Sequence, residues 1–419
     1  MSPGRSDTGD AGEEATGGAP NGAYPPGGPT RGRGVFLVLG VAGITTFGAL
    51  PVFLLGGLAV LVRDELVFSE ARLGVTVAAF FTTAALGSAP AGRIADRVGA
   101  HICLGAGLAG SCLAMIMAAT AASWFYLTLA LALGGLSHAI LQVAANLLLT
   151  GAVPVNRQGL AFGIKQSAVP IATLTAGLAL PVIGLTVGWR WAYAGAGLLA
   201  LLTLVLQRRI AVPAVVAPKT RRGPEYSVRR GPLIVLAVAV GAGAGAANAM
   251  AAFLVEFAVS WGMPASRAGL LLAVVSAIGL CARVGVGWIA DIHGSAGFGA
   301  VAAMLVAGAV GFAALPVVGP ELLIWVAAVV AFAAGWGWPG LFIFTVARQN
   351  PRAPAAATGV TQAGIFGGAV LGPLSFGFMV SSMSYTAAWW VGAAAQLAGA
   401  ALIMVARRSL KTVPVVLAE

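Results

Sequence analysis

Few residues in this chain could do chemistry, and where they stand is informative. Ionisable and amide side chains sit singly inside long apolar runs: His138 with Gln142 and Asn146, Lys165, Asn248 with Glu256. A charge in a bilayer interior is costly, so such groups mark a solute or ion path, or pair with one another. His138, Gln142 and Asn146 recur at four-residue steps, which places them on one helical face. That face is wasteful against lipid and must meet a cavity or another helix. His138 is of the type that exchanges a proton in the working pH range, or it is a neutral packed imidazole. Lys165 lies about 10 Å into its run at 1.5 Å per residue. It is either a cavity cation that draws an anion or pairs with an acid, or a side chain snorkelling to the headgroups. Glu256, two turns beyond Asn248, is either a proton-coupling carboxylate or an interfacial one. Trp336 and Trp338 precede Pro339, which removes a helix hydrogen bond and invites a kink; the indoles wall a cavity or fill space between helices.

Other chemistry is excluded. No Lys follows a Gly, so there is no Gly-Lys-Ser/Thr phosphate loop. Gly105-Ala-Gly107-Leu-Ala-Gly110 has dinucleotide spacing but lies within an apolar run with no strand before it. It reads as close helix packing, as does Gly241-Ala-Gly243-Ala-Gly245. No His, Cys and acid cluster has metal-ligand spacing, and no nucleophile has a base beside it. An enzyme, a cofactor and a metal are not expected. Cys103, Cys112 and Cys281 read as packing residues.

The elements that must position these groups follow from composition. The chain is 59% hydrophobic and 9% charged, against about 25% charged in soluble domains, so the bilayer is its solvent. Twelve apolar runs are long enough to span: Val35–Val62, Leu73–Ala91, Ile102–Ala122, Trp124–Thr150, Leu160–Val187, Trp191–Leu206, Leu233–Ser260, Ala268–Ala290, Phe298–Val318, Leu322–Val346, Ala355–Met383 and Ala387–Val405. The expected class is therefore an all-α membrane protein with twelve transmembrane helices. Residues 1–34, rich in Gly, Pro and acids, read as a disordered tail. Most Lys and Arg fall in connections on one side, which predicts a multi-pass cell-membrane protein with both termini cytoplasmic. The net charge of +11 thus reflects topology and lipid contact, not nucleic acid. Trp124, Trp189, Trp191, Trp261, Trp389 and Trp390 fall at the opposite boundaries, where indoles favour the headgroup level.

The chain also repeats itself. Gly92-Arg-Ile-Ala-Asp96-Arg97-Val-Gly99 has a partial copy, Gly287-Trp-Ile-Ala-Asp291, shifted by 195 from 92 to 287. Gly163-Ile-Lys-Gln166 matches Gly359-Val-Thr-Gln362, shifted by 196 from 163 to 359. Two motifs at nearly one offset imply two pseudo-symmetric six-helix halves, 35–206 and 232–406, with a basic linker at 207–231 and a second tail at 407–419. Gln166 and Gln362 then hold equivalent places, facing a cavity or bonding between helices.

Gly92-x-x-x-Asp96-Arg97-x-Gly99 between the second and third runs resembles the signature loop of the major facilitator superfamily. The six-plus-six arrangement, the central basic linker and Trp189-Arg190-Trp191 fit as well, and the resemblance covers about 35–406. His101 departs from the usual basic residue, and Ile292 and His293 replace Arg97 and Val98 in the copy. The resemblance implies that Gly92, Asp96, Arg97, Gly99 and Asp291 form gating loops, with Asp96 latching the halves by about 1–3 kcal/mol of differential energy. Arg283, two turns before Asp291, would reach that residue or a lipid phosphate. The resemblance also implies that the first, fourth, seventh and tenth spans line a cavity, which brings in Thr45 and Thr46 beside His138, Gln142, Asn248, Trp336 and Trp338. The family's exchange signature, a Gly-Pro pair in the fifth span, is displaced to Gly372-Pro373 in the eleventh. The expectation is a monomeric secondary transporter of a small solute, an organic anion with protons as coupling ion. Efflux of hydrophobic or aromatic compounds is the second reading, and a non-transporting sensor or scaffold the third.

Overall fold

A computed structural model of the protein describes the backbone of residues 31–153, 155–209, 230–293, 297–317, 319–350 and 354–411. Most of the expected first tail, the linker and the end of the second tail lie outside those residues. Among the described residues every regular element is a helix, as lipid requires: only a helix or a closed barrel satisfies its own backbone there.

Crossings one to four are α1 (Arg31–Leu66), α2 (Glu70–Val98), α3 (Ala100–Ala119) and α4 (Trp124–Ala152). The fifth is segmented into α5 (Val155–Gln166), α6 (Ala168–Ala179), a π-helical turn at Leu180–Gly184 and α7 (Leu185–Val187). Crossings six to nine are α8 (Trp189–Arg209), α9 (Arg230–Ser260), α10 (Ala265–His293) and α11 (Phe298–Ala314). The tenth is broken into α12 (Glu321–Ala333) and α13 (Pro339–Gln349); α14 (Pro354–Ser382) and α15 (Tyr385–Lys411) complete twelve. Ten of these crossings are long and apolar enough to span on their own; the ninth and tenth are built from shorter apolar helices. We call the side bearing Arg31 and Lys411 the terminal face and its opposite the far face.

Two of the expected continuous runs are therefore interrupted. In the tenth, Pro339 has no N–H to give, and the chain unwinds just before it. The freed carbonyl of Gly335 takes Gln396 Nε2 at 3.2 Å and Trp338 Nε1 at 2.8 Å, which makes the break tolerable in an apolar medium. In the fifth, α5 stops at Gln166 because Pro170, four residues on, cannot donate to it.

Small residues set the packing. An added Cβ at Gly368 would stand 1.9 Å from the Gly241 carbonyl, and one at Gly372 would stand 2.2 Å from that of Gly245. So α9 and α14 touch backbone to backbone, which only glycine permits. Gly107 and Gly110 likewise seat Leu141 and Ser137 of α4 against α3. Gly99, at φ +86°, turns α2 into α3 and donates its N–H to Ala95 O at 2.9 Å; a side chain would be strained there.

The tryptophans divide. Trp191 and Trp390 are exposed, as a headgroup belt requires, but Trp189 and Trp389 are buried. Trp189 Nε1 donates to Glu65, whose carboxylate also pairs with Arg190. Arg190 stacks on Trp189 and reaches Ala121 O at 2.8 Å. One acid thereby ties crossings one, three and six at the far face.

Candidate transport site and gates

Lys165 is 4% exposed, and its Nζ donates to Asn146 Oδ1 of α4 at 3.0 Å. The amine is turned inward, not extended to the headgroups. One turn up α4, Gln142 Nε2 stands 3.3 Å from His138 Nε2. The imidazole is wedged inside the first half: an added Cβ at Gly48 would stand 3.2 Å from His138 Nδ1, and the Phe80 ring lies 5.6 Å away. His138 Nδ1 is buried without a hydrogen-bond partner among the described residues.

Arg283 differs most from its sequence reading. It does not run along α10 toward Asp291, whose side chain lies outside the described residues. Instead it crosses to the first half, where Nη1 donates to Gln166 O at 3.1 Å; Nη2 donates to Trp336 O at 2.7 Å. Each accepting carbonyl stands where a helix is interrupted, so each lacks its usual partner, and a guanidinium has five donors to offer. The guanidinium also lies 5.9 Å from the Trp336 ring, within cation–π range, and Nε is buried with no partner among the described residues. An Arg inside the eighth run was the available sequence signal. Its direction depended on a carbonyl freed by Pro170 in the fifth crossing and on one in the unwound stretch before Pro339 in the tenth.

Lys165 and Arg283 thus come from opposite halves and meet on successive residues, since Arg283 holds the carbonyl of Gln166. The acids whose side chains are described are Asp64, Glu65, Glu70, Asp96, Glu256 and Glu321. None is hydrogen-bonded or ion-paired to either cation among the described residues.

The remaining candidates separate. Trp336 faces Phe53 of the first half at 5.9 Å between ring centroids. Trp338, expected beside it on a cavity wall, is instead 0% exposed in a core with Leu305 and Phe342. The break turns two residues only two apart into different environments. Thr46 Oγ1 donates to Ala42 O and Asn248 Nδ2 to Ala244 O, both within their own helices. Gln362 is partly buried on α14.

The two faces are built differently. At the far face Arg63 pairs with Glu70 of α2 and Glu256 of α9, each at 2.9 Å. Tyr385 Oη donates to Glu256 at 3.5 Å, and the Ala71 N–H donates to Ser381 Oγ at 2.8 Å. Glycines let the halves meet there: an added Cβ at Gly56 would lie 2.5 Å from Ala251 O, one at Gly177 2.5 Å from Ala273 N, and one at Gly377 2.4 Å from Glu70 O. Toward the terminal face the described hydrogen bond that joins the halves is that of Arg283 to Gln166. Asp96 and Arg97 are exposed, Gly92 has open space beside it, and Asp96 has no partner among the described residues.

Twelve helical crossings, ten of them long and apolar enough to span on their own, are the build of a multi-pass membrane protein. The Major Facilitator Superfamily model matches residues 35–346, and the chain belongs to that family. It is a transporter, not an enzyme. No curated protein matches it significantly in sequence. Solved structures similar to it include the xylose transporter XylE from E. coli in a partially occluded inward-open conformation, at 16% identity over 91% of this chain and 99% of that one, TM-score 0.72. A mutant of the nucleoside transporter NupG matches at 14% identity over 88% and 99%, TM-score 0.70. A bacterial homologue of the human lysosomal transporter Spinster, inward-facing and occupied, matches at 16% identity over 91% and 97%, TM-score 0.68. At these identities the likeness is one of fold.

Proposed function

We propose that the protein carries a small organic anion across the cell membrane, with a proton as co-substrate and the terminal face cytoplasmic. The observation behind this is the pair of inward-turned cations, Lys165 and Arg283, with no described carboxylate bonded to either. A buried cation without a counter-charge is unfavourable; an anionic substrate would supply the charge the protein withholds. The two cations belong to different halves. A carboxylate held between them binds best when the halves are closest, so its binding favours the occluded state. The halves 35–206 and 232–406 then rock about this site as units. His138 stands one turn along α4 from Gln142, and Asn146 one turn further on holds Lys165. Basic connections on the terminal face support its cytoplasmic placement.

The test is uptake of a panel of labelled carboxylates, sugars, amines and hydrophobic dyes into proteoliposomes, with external pH recorded. Carboxylate uptake accompanied by proton movement, reduced by roughly 10- to 100-fold in Arg283→Ala and Lys165→Ala, is expected from the loss of a hydrogen bond to a charged group. Movement of dyes alone, unchanged in both variants, would overturn the anion reading in favour of efflux.

A further inference from the structure

We propose that Glu256 is a proton-binding site that unlocks the far gate by leaving Arg63 to Glu70. The argument rests on one guanidinium serving two carboxylates. Arg63 Nη2 holds Glu70, in its own half, and Nη1 holds Glu256, in the other. Its Nε donates to Phe68 O at 2.9 Å, again within the first half. Two of its three bonds are therefore internal, and one crosses the seam.

The two carboxylates are unequal. The Glu70 side chain is 26% exposed and keeps water; that of Glu256 is 4% exposed. The charge of Glu256 is balanced by Arg63 and by the Tyr385 hydroxyl of its own half, and the titratable and charged groups acting on it are Arg63, Glu70 and Tyr385. A proton taken by Glu256 removes the ionic bond between the halves while Arg63 stays paired with Glu70. No buried cation is stranded, so the cost that normally follows breaking a buried ion pair is avoided. What then remains across this part of the seam is the uncharged bond of Ala71 to Ser381, with the weak Ser381–Glu70 contact at 3.4 Å. The shared arginine converts a proton arriving from the far side into loss of the one described charge pair across the seam.

This rests on the reading of a proton as co-substrate, but its test needs no substrate. Val67 and Met383 are exposed at the far ends of the two halves. Spin labels on Val67→Cys and Met383→Cys, in full-length protein with Cys103→Ala, Cys112→Ser and Cys281→Ser in lipid nanodiscs, report the width of the far face. With Glu256 intact, a short distance at neutral pH is expected to gain a longer component on acidification. Glu256→Gln should give the longer component at both pH values. Glu70→Gln should move the opening midpoint to lower pH, because released Arg63 has no partner waiting. Tyr385→Phe, a milder change, should move it to higher pH. A short, pH-independent distance with Glu256 intact, or a Glu256→Gln variant that titrates unchanged, overturns the proposal. Failure of anion uptake with this switch intact would instead fault the substrate reading.

Discussion

The far and terminal faces are made from the same two halves, yet among the described residues the ion pair that joins the halves stands at the far face. At the far face the seam combines a shared arginine with glycines whose missing side chains admit the opposite backbone. Toward the terminal side the described glycines make no such contact with the other half: at Gly163, Gly359 and Gly367 an added Cβ would meet nothing within 4 Å, and Gly364 meets Ala237 within its own half. The contrast shows where the energy of this state resides. Close packing and buried charge hold one end, and toward the other the described polar link between the halves is Arg283 to Gln166. The segment expected as a gating loop, Gly92–Gly99, is instead the last turns of α2 and its Gly99 cap, and its exposed Asp96 and Arg97 are the groups the Asp96 variant below tests.

The strongest test of the contrast is to fix the far seam. Ala71→Cys with Ser381→Cys joins positions already in hydrogen-bond contact, and the disulfide should abolish turnover, with recovery on reduction. Next is the glycine asymmetry. Gly377→Ala drives a methyl toward Glu70 O, and cross-seam label distances should lengthen with at least about a tenfold fall in uptake, since overpacking costs about 1–3 kcal/mol. Asp96→Asn should leave the far-face distance unchanged but slow turnover several-fold, because a latch worth about 1–3 kcal/mol acts only in the other state. The smallest effect is expected for Gly163→Ala, whose uptake should stay within about twofold. If Gly163→Ala were as harmful as Gly377→Ala, the contrast between the faces would fail.

Much of the fold was legible because a bilayer leaves the backbone few choices. Apolar run length located the crossings, and the repeated Gly-x-x-x-Asp segments, expected as loops, end the helices α2 and α10. Side-chain direction was less accessible. Trp389 sits at a boundary in sequence, yet Phe257, Phe312 and Phe376 enclose it; only tertiary neighbours decide that. Trp336 and Trp338 stand beside the kink expected at Pro339, and which indole meets the other half and which enters the core depends on how the chain leaves that break. Arg283 was expected to reach Asp291 on its own helix or a lipid phosphate, whereas the carbonyls it holds belong to helix breaks in the fifth and tenth crossings. Lys165 carried the right signal, a charge deep in an apolar run, but its partner Asn146 had been assigned to a neighbouring stripe.

The π-helical turn at Leu180–Gly184 gives the fifth crossing a property its neighbours lack. A π-turn holds one residue more than the α-turn it replaces, and one residue corresponds to about 100° of rotation at 3.6 residues per turn. Everything from Leu185 onward is thereby phased differently from α6, while both segments stay seated against their neighbours. Removing one residue within 180–184 would relax the turn to ordinary helix with the faces on either side still in register. This stretch can therefore absorb single-residue length changes that would misalign a straight transmembrane helix from end to end.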